Sequence, residues 1–359
     1  MKKLRNIAMI LFFVIAILLV GVCSLYNYNL TPIDKNDSTK IEVEIPSGSS
    51  VKSIGELLEE KGLIRNSKFF YLYSKLYKIN DMKATTYSLS KDMALEEIIN
   101  TLRAGNNYNP DEISITFNEG INIRKVAKII EANTNNSYDD VFTLLEDEEY
   151  LNSLINEYWF ITDEIKNNEI YYPLEGYLYP NTYKFKNKDV SIKEIFKTML
   201  DESDKILSNY KSVINSSKYT LHEILTLASI VELEGVNAND RNGIAAVFIN
   251  RLESNWSLGS DVTTYYGAKV EMSERDLYKS EIDAVNAYNT RSSAMAGKLP
   301  VGPIANVSED SIKAVLYPVE SDYYYFVADK YGNVHFTKTY SEHLAKISEL
   351  KNEGAWIEW

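Results

Sequence analysis

The chain has 359 residues, 45% hydrophobic and 25% charged, a balance typical of folded proteins, and it is long enough for two or three domains. Its formal net charge is −13, and a body this acidic repels phosphate backbones, which excludes nucleic acid as a main partner. The single cysteine, Cys23, excludes an intramolecular disulfide and a cysteine-based zinc site.

The positions of the histidines do not indicate a metal site either. His222, His335 and His343 lie far apart, and no HExxH pattern occurs. We expect each of them to be a surface or capping residue, not a ligand. The sequence therefore predicts no metal site and no cofactor.

An uncharged apolar run, residues 7–25, has about the length that spans a bilayer. Lys2, Lys3 and Arg5 precede it, so residues 1–6 are expected in the cytoplasm and the body outside the cell, as a single-pass cell-membrane protein. A cleaved signal peptide is the alternative, but no A-x-A-like site follows. A lipid on Cys23 is a second alternative, but the bulky Val22 precedes it where processing normally requires a small residue. We expect a retained anchor and then a polar linker, 26–40.

Three segments after the linker share one pattern. They start at Ile45, Leu89 and Phe117, and apolar residues recur at offsets 0, 6, 9 and 13 from each start. The last three offsets have helical spacing, and alternation before the starts indicates strands. Chance could give one such strand, turn and helix, but agreement at four positions in all three segments favours a real structural recurrence.

The rest of the chain mixes helix and strand patterns. Residues 137–170 are acidic and helical in pattern, and Ser191 with Glu194 forms a capping box before another helix. Near the end, DYYYFVAD and VHFT flank KYGN as a predicted hairpin, followed by a helix from about Ser341. This order predicts an α+β fold, not a doubly wound sheet.

The segment YTLHEILTLASIVELEG holds the main candidate for chemistry. Thr220 and Glu223 predict a capping box, apolar residues nearly all round predict a buried helix, and Gly235 predicts its end. Glu232 lies in the last turn, where partial desolvation and the negative end of the helix dipole both favour the protonated form that a general acid requires. The same letters also fit a solvated helix end with two ordinary glutamates, Glu232 and Glu234.

Several motifs along the chain, including part of this segment, resemble those of one family. In order these are LEGYLYPNTYKF, LASIVELEG, RNGIAAVFINRL, SDVTTYYG, AYNT, and YYYFVAD with FTKTYSEH. Together they resemble the MltG/YceG-like endolytic lytic transglycosylases over nearly the whole chain, anchor included. Residues 41–105 resemble the LysM-like portion of that family. The resemblance implies a small LysM-like α/β module at 41–110 and a larger α+β catalytic domain at 111–359.

The resemblance also implies functional residues. The family's catalytic glutamate falls on Glu232. Seven other motif positions are expected to bind substrate or to scaffold the site, and they are Glu175, Tyr177, Asn250, Arg251, Asp261, Tyr288 and Asn289. For Tyr177 a packed ring is at least as consistent with the sequence as a sugar contact, and for Arg251 an ion pair is. Asp261 and Asn289 are the better sugar contacts, because short polar side chains in loops commonly present hydrogen bonds.

The chain departs from the family pattern around the expected cleft. Gly235 stands where the family usually has threonine or alanine, and Val262 stands where it has proline. Arg291 and a longer stretch through Val301 replace a tyrosine and a tight turn, and His335 is displaced by one position. These departures affect the shape of the cleft and leave Glu232 in place.

The mechanism that the resemblance implies needs one carboxylate. It protonates the oxygen between N-acetylmuramic acid and N-acetylglucosamine, then accepts the proton of the muramic acid C6 hydroxyl as a 1,6-anhydro ring closes. The implied partners are peptidoglycan strands, cell-wall synthases (penicillin-binding proteins) and the elongation or division machinery, and the implied role is to terminate glycan elongation. Two alternatives stay open: a catalytically decayed peptidoglycan-binding scaffold, and a hydrolase that pairs Glu232 with Asp261 or Glu234.

Overall fold

The structure is a computed structural model that describes residues 2–105, 109, 111–235 and 237–356. Small antiparallel sheets and many helices make the described chain α+β, as predicted. The chain divides into two compact units, residues 1–111 and 112–359. Each unit has its own cluster of buried apolar side chains.

The first unit begins with the long apolar helix. Its elements are α1 (Lys2–Leu30), β1 (Ile41–Glu44), α2 (Val51–Glu60), α3 (Ser67–Leu76), β2 (Thr86–Leu89) and α4 (Leu95–Ala104). Strands β1 and β2 pair antiparallel, with Ile41 opposite Leu89. Apolar side chains from the strands and from α2, α3 and α4 close over one face of this pair.

Helix α1 is apolar and long enough to cross a membrane over residues 11–30, and it fits a single-pass anchor. It continues through Leu30, five residues past the predicted end of the anchor, so residues 26–30 are helical and do not form the start of the linker. Tertiary contacts explain the extension. The ring of Tyr26 packs against Phe69, and the guanidinium of Arg65 donates to the carbonyl oxygen of Tyr28.

The second unit is larger. Its elements are β3 (Ile113–Phe117), α5 (Ile123–Asn133), α6 (Tyr138–Leu145), α7 (Glu148–Glu157), β4 (Asn181–Phe185), α8 (Ile192–Ser208), α9 (Lys211–Ser216), α10 (Leu221–Glu234), α11 (Ala238–Glu253), α12 (Asp261–Gly267), α13 (Lys279–Ile282), α14 (Glu309–Leu316), β5 (Tyr325–Ala328), β6 (Val334–Thr337) and α15 (Tyr340–Asn352). Two 3₁₀ turns, 163–166 and 293–295, complete it. Strand β3 pairs antiparallel with β4, and β5 pairs with β6 as the predicted hairpin.

The recurrence found in the sequence is confirmed as structure. Each of the three segments is a strand and a turn followed by a helix, which begins at Val51, Leu95 or Ile123. Eleven of the twelve recurring apolar positions are buried, and Val51 is half-buried. The pattern does not decide strand pairing, since β1 and β2 pair with each other while β3 pairs with the distant β4.

Helix α10 is the buried helix that its sequence predicts. The Thr220 hydroxyl accepts the Glu223 amide and the Glu223 carboxylate accepts the Thr220 amide, which forms the predicted capping box. Ten of its fourteen residues are buried, and it packs against α11 and α14. The packing of α10 against these two helices presents its carboxyl end to other segments of the chain.

At the start of α8, Ser191 forms only half of its predicted capping box, because its hydroxyl accepts the Glu194 amide without a reciprocal bond.

His222 is buried and is therefore not the surface or capping residue that the sequence predicted. Its ring nitrogens lie 2.8 Å from the Tyr177 hydroxyl and 2.9 Å from the Val301 carbonyl oxygen. These two bonds satisfy both nitrogens inside the protein, so this histidine is a core residue. Within residues 2–105, 109, 111–235 and 237–356, no group of three His, Cys, Asp or Glu side chains is arranged to hold a metal ion.

Candidate active site

Glu232 lies in the last turn of α10 with its side chain 3% exposed. Its Oε1 accepts a charged hydrogen bond from Nη2 of Arg241 at 2.7 Å. Its Oε2 accepts the backbone N–H of Ser308 at 2.8 Å and the hydroxyls of Ser308 and Ser311 at 2.5 and 2.7 Å. One buried carboxylate thus accepts four hydrogen bonds.

The donors come from two other helices. Arg241 lies in the first turn of α11, and Ser308 is the N-cap of α14, with Ser311 one turn further on. The amino end of a helix carries unpaired N–H groups and a partial positive charge, which favours a carboxylate there. Glu232 therefore joins the carboxyl end of its own helix to the amino end of α14.

This environment differs from the predicted one. The sequence pattern indicated an apolar site around Glu232, but an arginine and three neutral hydrogen-bond donors surround its carboxyl group. The donors lie 9 to 79 residues away along the chain. Their positions depend on how α11 and α14 pack against α10, which the amino-acid sequence of α10 alone does not determine.

Gly235 makes room for Arg241. A Cβ atom built at residue 235 would lie 2.7 Å from Cγ of Arg241, closer than two carbon atoms approach. The backbone at Gly235 has φ of −105°, which any residue adopts, so the glycine is required here for space and not for a left-handed turn. The stem of Arg241 thus packs directly on the end of α10 as its guanidinium reaches Glu232.

A small cavity lies beside this helix end. Gly120, in the turn after β3, has φ of +71°, and a Cβ built there would lie 3.2 Å from Leu233 and 3.9 Å from Cγ of Glu232. Gly120 and Leu233 both line a cavity of about 180 Å³, whose polar walls include Asn122, Arg124 and Lys125. The chain at Gly120 therefore passes close to Cγ of Glu232, and the adjacent residue Leu233, not Glu232 itself, lines the cavity.

The cavity wall carries more positive than negative side chains. Arg124 and Lys125 both pair with Glu271, at 2.7 and 3.2 Å. Burial opposes the charge on Glu271, but hydrogen bonds from Asn122 and Arg124 outweigh it and lower the pKa of this carboxyl. Nη1 of Arg124 is buried and has no hydrogen-bond partner among the described residues.

Glu175 is a second buried carboxyl in this unit. It accepts the Ile123 N–H at 3.0 Å and the Tyr266 hydroxyl at 2.9 Å. Burial raises the pKa of Glu175 to about 8, since these donors offset desolvation only in part. It ties the start of α5 to α12 and lies 3% exposed, so its contacts are those of a scaffold.

Tyr177, Tyr288 and Asn289 are also buried. The Tyr177 hydroxyl bonds the ring of His222, and the Tyr288 hydroxyl accepts the Tyr171 N–H at 3.2 Å. Asn289 accepts the Thr264 hydroxyl, and its amide donates to two backbone carbonyl oxygens. The polar groups of all three therefore bond within the protein, and Asn289 does not present a free amide as a loop residue would.

Asn250 and Arg251 fasten α11 to the segment that leads into β5. The Asn250 amide donates to the carbonyl oxygens of Ser321 and Tyr323, at 3.0 and 2.9 Å. Nε of Arg251 donates to the carbonyl oxygen of Tyr324 at 2.7 Å. Arg251 thus bonds backbone oxygens, where the sequence left open an ion pair or a sugar contact.

Asp261 is the one of the seven proposed binding residues whose side chain is mostly exposed, at 60%. It pairs with Arg291, one of the positions that depart from the family pattern. Close by, the Ser260 hydroxyl donates to Glu234 at 2.6 Å, and burial raises the pKa of Glu234. The two glutamates at the end of α10 thus have separate partners.

Arg241, Ser308 and Ser311 were not among the site residues predicted from the sequence. One signal for Arg241 was available, because a cation in the first turn of a helix opposes the helix dipole and so needs a reason to be there. Ser308 and Ser311 gave no such signal, since a serine at an N-cap is ordinary capping chemistry.

Comparison with known proteins assigns this chain to a family. A sequence model of the YceG-like family matches residues 43–349. The match covers most of the chain, including both the recurring segments and the Glu232 region. The chain belongs to the YceG-like family.

Three similar proteins can be compared in detail. The endolytic murein transglycosylase of Bacillus subtilis (strain 168) is 38% identical over 342 residues, which cover 94% of this chain and 93% of the relative. That of Streptococcus pneumoniae serotype 2 is 32% identical over 359 residues, 94% of this chain but 64% of the relative. The crystal structure of a yceG-like protein from Listeria monocytogenes is 35% identical, with a TM-score of 0.61, and it covers 86% of this chain and 99% of that one.

Proposed function

We propose that this chain is an endolytic lytic transglycosylase that cleaves the bond between N-acetylmuramic acid and N-acetylglucosamine within peptidoglycan strands, with Glu232 as its catalytic residue. Family membership and relatives named endolytic murein transglycosylase over 94% of the chain make it a murein transglycosylase. The observation that supports the assignment to Glu232 is its place at the end of a buried helix, held by donors from two other helices, where the adjacent Leu233 lines a cavity.

The reaction starts with a proton on Glu232. As the glycosidic bond breaks, this proton passes to the leaving oxygen of N-acetylglucosamine, and positive charge develops at C1 of the muramic acid. Glu232 is then a carboxylate and accepts the proton of the C6 hydroxyl while O6 attacks C1. The C1–O4 bond is replaced by a C1–O6 bond, no water is consumed, and Glu232 is protonated again. Attack from within the same sugar benefits from high effective concentration.

The donors around Glu232 stabilise the form that exists between the two proton transfers. Arg241, Ser308 and Ser311 all donate to the carboxylate, and preorganised donors of this kind lower the energy of a charge that develops during reaction. The first transfer requires the opposite, a protonated acid.

Among the other candidates, Asp261 is proposed as a direct contact to sugar hydroxyls, because its carboxylate is exposed. Glu175, Tyr177, Asn250, Arg251, Tyr288 and Asn289 are proposed as positioning residues, because their polar groups bond inside the protein. No metal or other cofactor enters this mechanism.

We further propose that α1 anchors the protein with its amino end in the cytoplasm, and that the enzyme cuts strands as they are made and thereby terminates their elongation. The basic residues before the apolar run support this topology. Residues 41–110 are proposed to be a LysM-like module. Its own core and its order of strand, two helices and strand support that proposal. Cell-wall synthases and the elongation or division machinery are the proposed protein partners.

The test is digestion of polymeric peptidoglycan with the purified full chain, followed by mass spectrometry of the products. We expect internal cuts and anhydro-muramic ends, and no loss of rate on addition of a chelator. Reducing ends would instead identify a hydrolase in which Glu232 works with Asp261 or Glu234. Binding to peptidoglycan without any product would identify the decayed scaffold.

A further inference from the structure

Helix α3, in the first unit, exposes large apolar side chains. Leu72 and Leu76 are 65% and 71% exposed, and Tyr71 and the C-cap residue Tyr77 are also exposed. Leucines one turn apart on a helix lie on the same strip of its surface. Such a strip on a soluble surface usually marks a contact with another apolar phase.

An adjacent face of α3 packs against the end of α1. The ring of Tyr26 in α1 lies 5.6 Å from that of Phe69 and 6.4 Å from that of Tyr73, centroid to centroid, and its hydroxyl is 3.0 Å from that of Tyr77. The guanidinium of Arg65, just before α3, lies 4.4 Å over the ring of Tyr28. Helix α3 therefore lies at the same height along α1 as Tyr26.

This height corresponds to a membrane surface. The apolar part of α1 that can cross a bilayer ends at Leu30, so Tyr26 and Tyr28 fall in its last turns. Tyrosines near the end of a membrane span typically lie at the level of the lipid headgroups, where the ring is in an apolar layer and the hydroxyl in a polar one. A helix in contact with these rings is at headgroup level as well.

The side chains of α3 follow the polarity of that layer. At about 100° per residue, the aromatic strip that faces α1 (Phe69, Tyr73 and Tyr77) is followed, roughly 80° further round, by the strip of Leu72 and Leu76. Lys68 and Lys75 follow beyond the leucines, and both are exposed. The order is protein contact, then apolar surface, then cations, which matches an interfacial helix whose lysines extend to the headgroups.

We propose that α3 lies in the surface layer of the membrane that α1 spans, with Leu72 and Leu76 inserted among the lipids and Lys68 and Lys75 at the headgroups. The first unit then has two membrane contacts, the anchor and this helix, and α3 limits rotation of the unit about α1. The proposal is independent of the catalytic assignment, because it involves no residue of the Glu232 site.

The test uses the full chain in lipid nanodiscs that contain phosphatidylcholine and phosphatidylglycerol. In a Cys23→Ser background, Leu72→Cys carries an environment-sensitive fluorophore, and some of the lipids carry a nitroxide quencher near the headgroup. We expect the fluorescence at residue 72 to fall roughly twofold relative to nitroxide-free discs, since an interfacial helix lies about 5–10 Å deep. Residue 72 is exposed, so the label leaves the core intact.

The matched control is Glu56→Cys, an exposed position on α2, labelled in the same way. Its fluorescence is expected to stay unchanged by lipid nitroxide. Equal quenching at residues 56 and 72, or none at residue 72, would overturn the proposal. A label at residue 72 that is shielded from water but not quenched by lipid would also overturn it, because the leucine strip would then be covered by protein, such as a second copy of the chain.

Discussion

Two buried glutamates in the second unit show how differently a protein can treat the same side chain. Glu175 and Glu232 are both almost inaccessible to water. Glu175 accepts hydrogen bonds only from neutral groups, an amide and a phenol, and burial raises its pKa to about 8. Glu232 accepts bonds from an arginine, an amide and two hydroxyls.

The difference teaches that burial alone does not determine which groups surround a carboxyl. Desolvation disfavours the charged form of Glu175, whose hydrogen bonds come from neutral groups, whereas a cation donates directly to Glu232. Glu175 is therefore suited to holding two segments together as a neutral acid near pH 7. Glu232 instead has a cation and three neutral donors positioned around its carboxyl group.

The largest expected effect separates the two roles. Glu232→Gln should fold normally and lose strand cleavage by roughly 10²- to 10⁴-fold or more, because an amide cannot transfer the proton. The measurement is the initial rate of peptidoglycan digestion, with a melting curve for the variant. Glu234→Gln, two residues further along the same helix end, is the matched control and should retain most of the activity. Turnover close to wild type in Glu232→Gln would rule out the mechanism.

The next effect concerns stability at Glu175. Its folded pKa of about 8 exceeds the unfolded value, so the stability it contributes is complete below pH 4.5 and is lost as pH rises through 8. In wild type the free energy of unfolding should fall by a few kcal/mol at most over this range. Glu175→Gln mimics the neutral acid, so its melting temperature should not show the corresponding decline. The measurement is the difference in melting temperature between wild type and variant from pH 5 to pH 9. A constant difference would show that Glu175 is not neutral in the folded protein.

A smaller effect is expected at Arg241. Arg241→Gln removes the cation that stabilises the Glu232 carboxylate between the two proton transfers, so kcat should fall roughly 10- to 100-fold. Arg103→Gln, which breaks the exposed pair with Asp81, is the control and should leave kcat unchanged. A rise in KM alone, with kcat intact, would show that Arg241 acts on binding and not on the reaction.

The smallest effect is expected at Gly235. The Cβ of Gly235→Ala would press on Arg241 and displace its guanidinium, so the rate should fall by roughly 3- to 10-fold. In the double variant with Arg241→Gln this loss should disappear, because the two changes act through one contact. Gly267→Ala crowds Asn286 at the same 2.7 Å and is the control for crowding elsewhere. Additive losses in the double variant would contradict the coupling.

Local sequence patterns determined many of the secondary-structure elements of this protein. The anchor helix, the three strand–turn–helix segments, the capping box at Thr220 and the hairpin at β5 and β6 all follow from short-range periodicity and turn chemistry. These signals succeed because a buried face recurs every two residues in a strand and about every 3.6 in a helix. The position of Glu232 at the end of a buried helix follows from the same signals.

Only the tertiary structure decided what surrounds those elements. The donors to Glu232 come from α11 and α14, Asn289 is enclosed by α12 and by backbone near α13, and α1 extends to Leu30 because α3 packs on Tyr26. Each of these depends on how segments far apart in the chain dock, and hydrogen bonds between such segments leave no periodic trace in sequence. The sequence thus determined the position of Glu232 at the end of α10, and the docking of distant helices determined its hydrogen-bond donors.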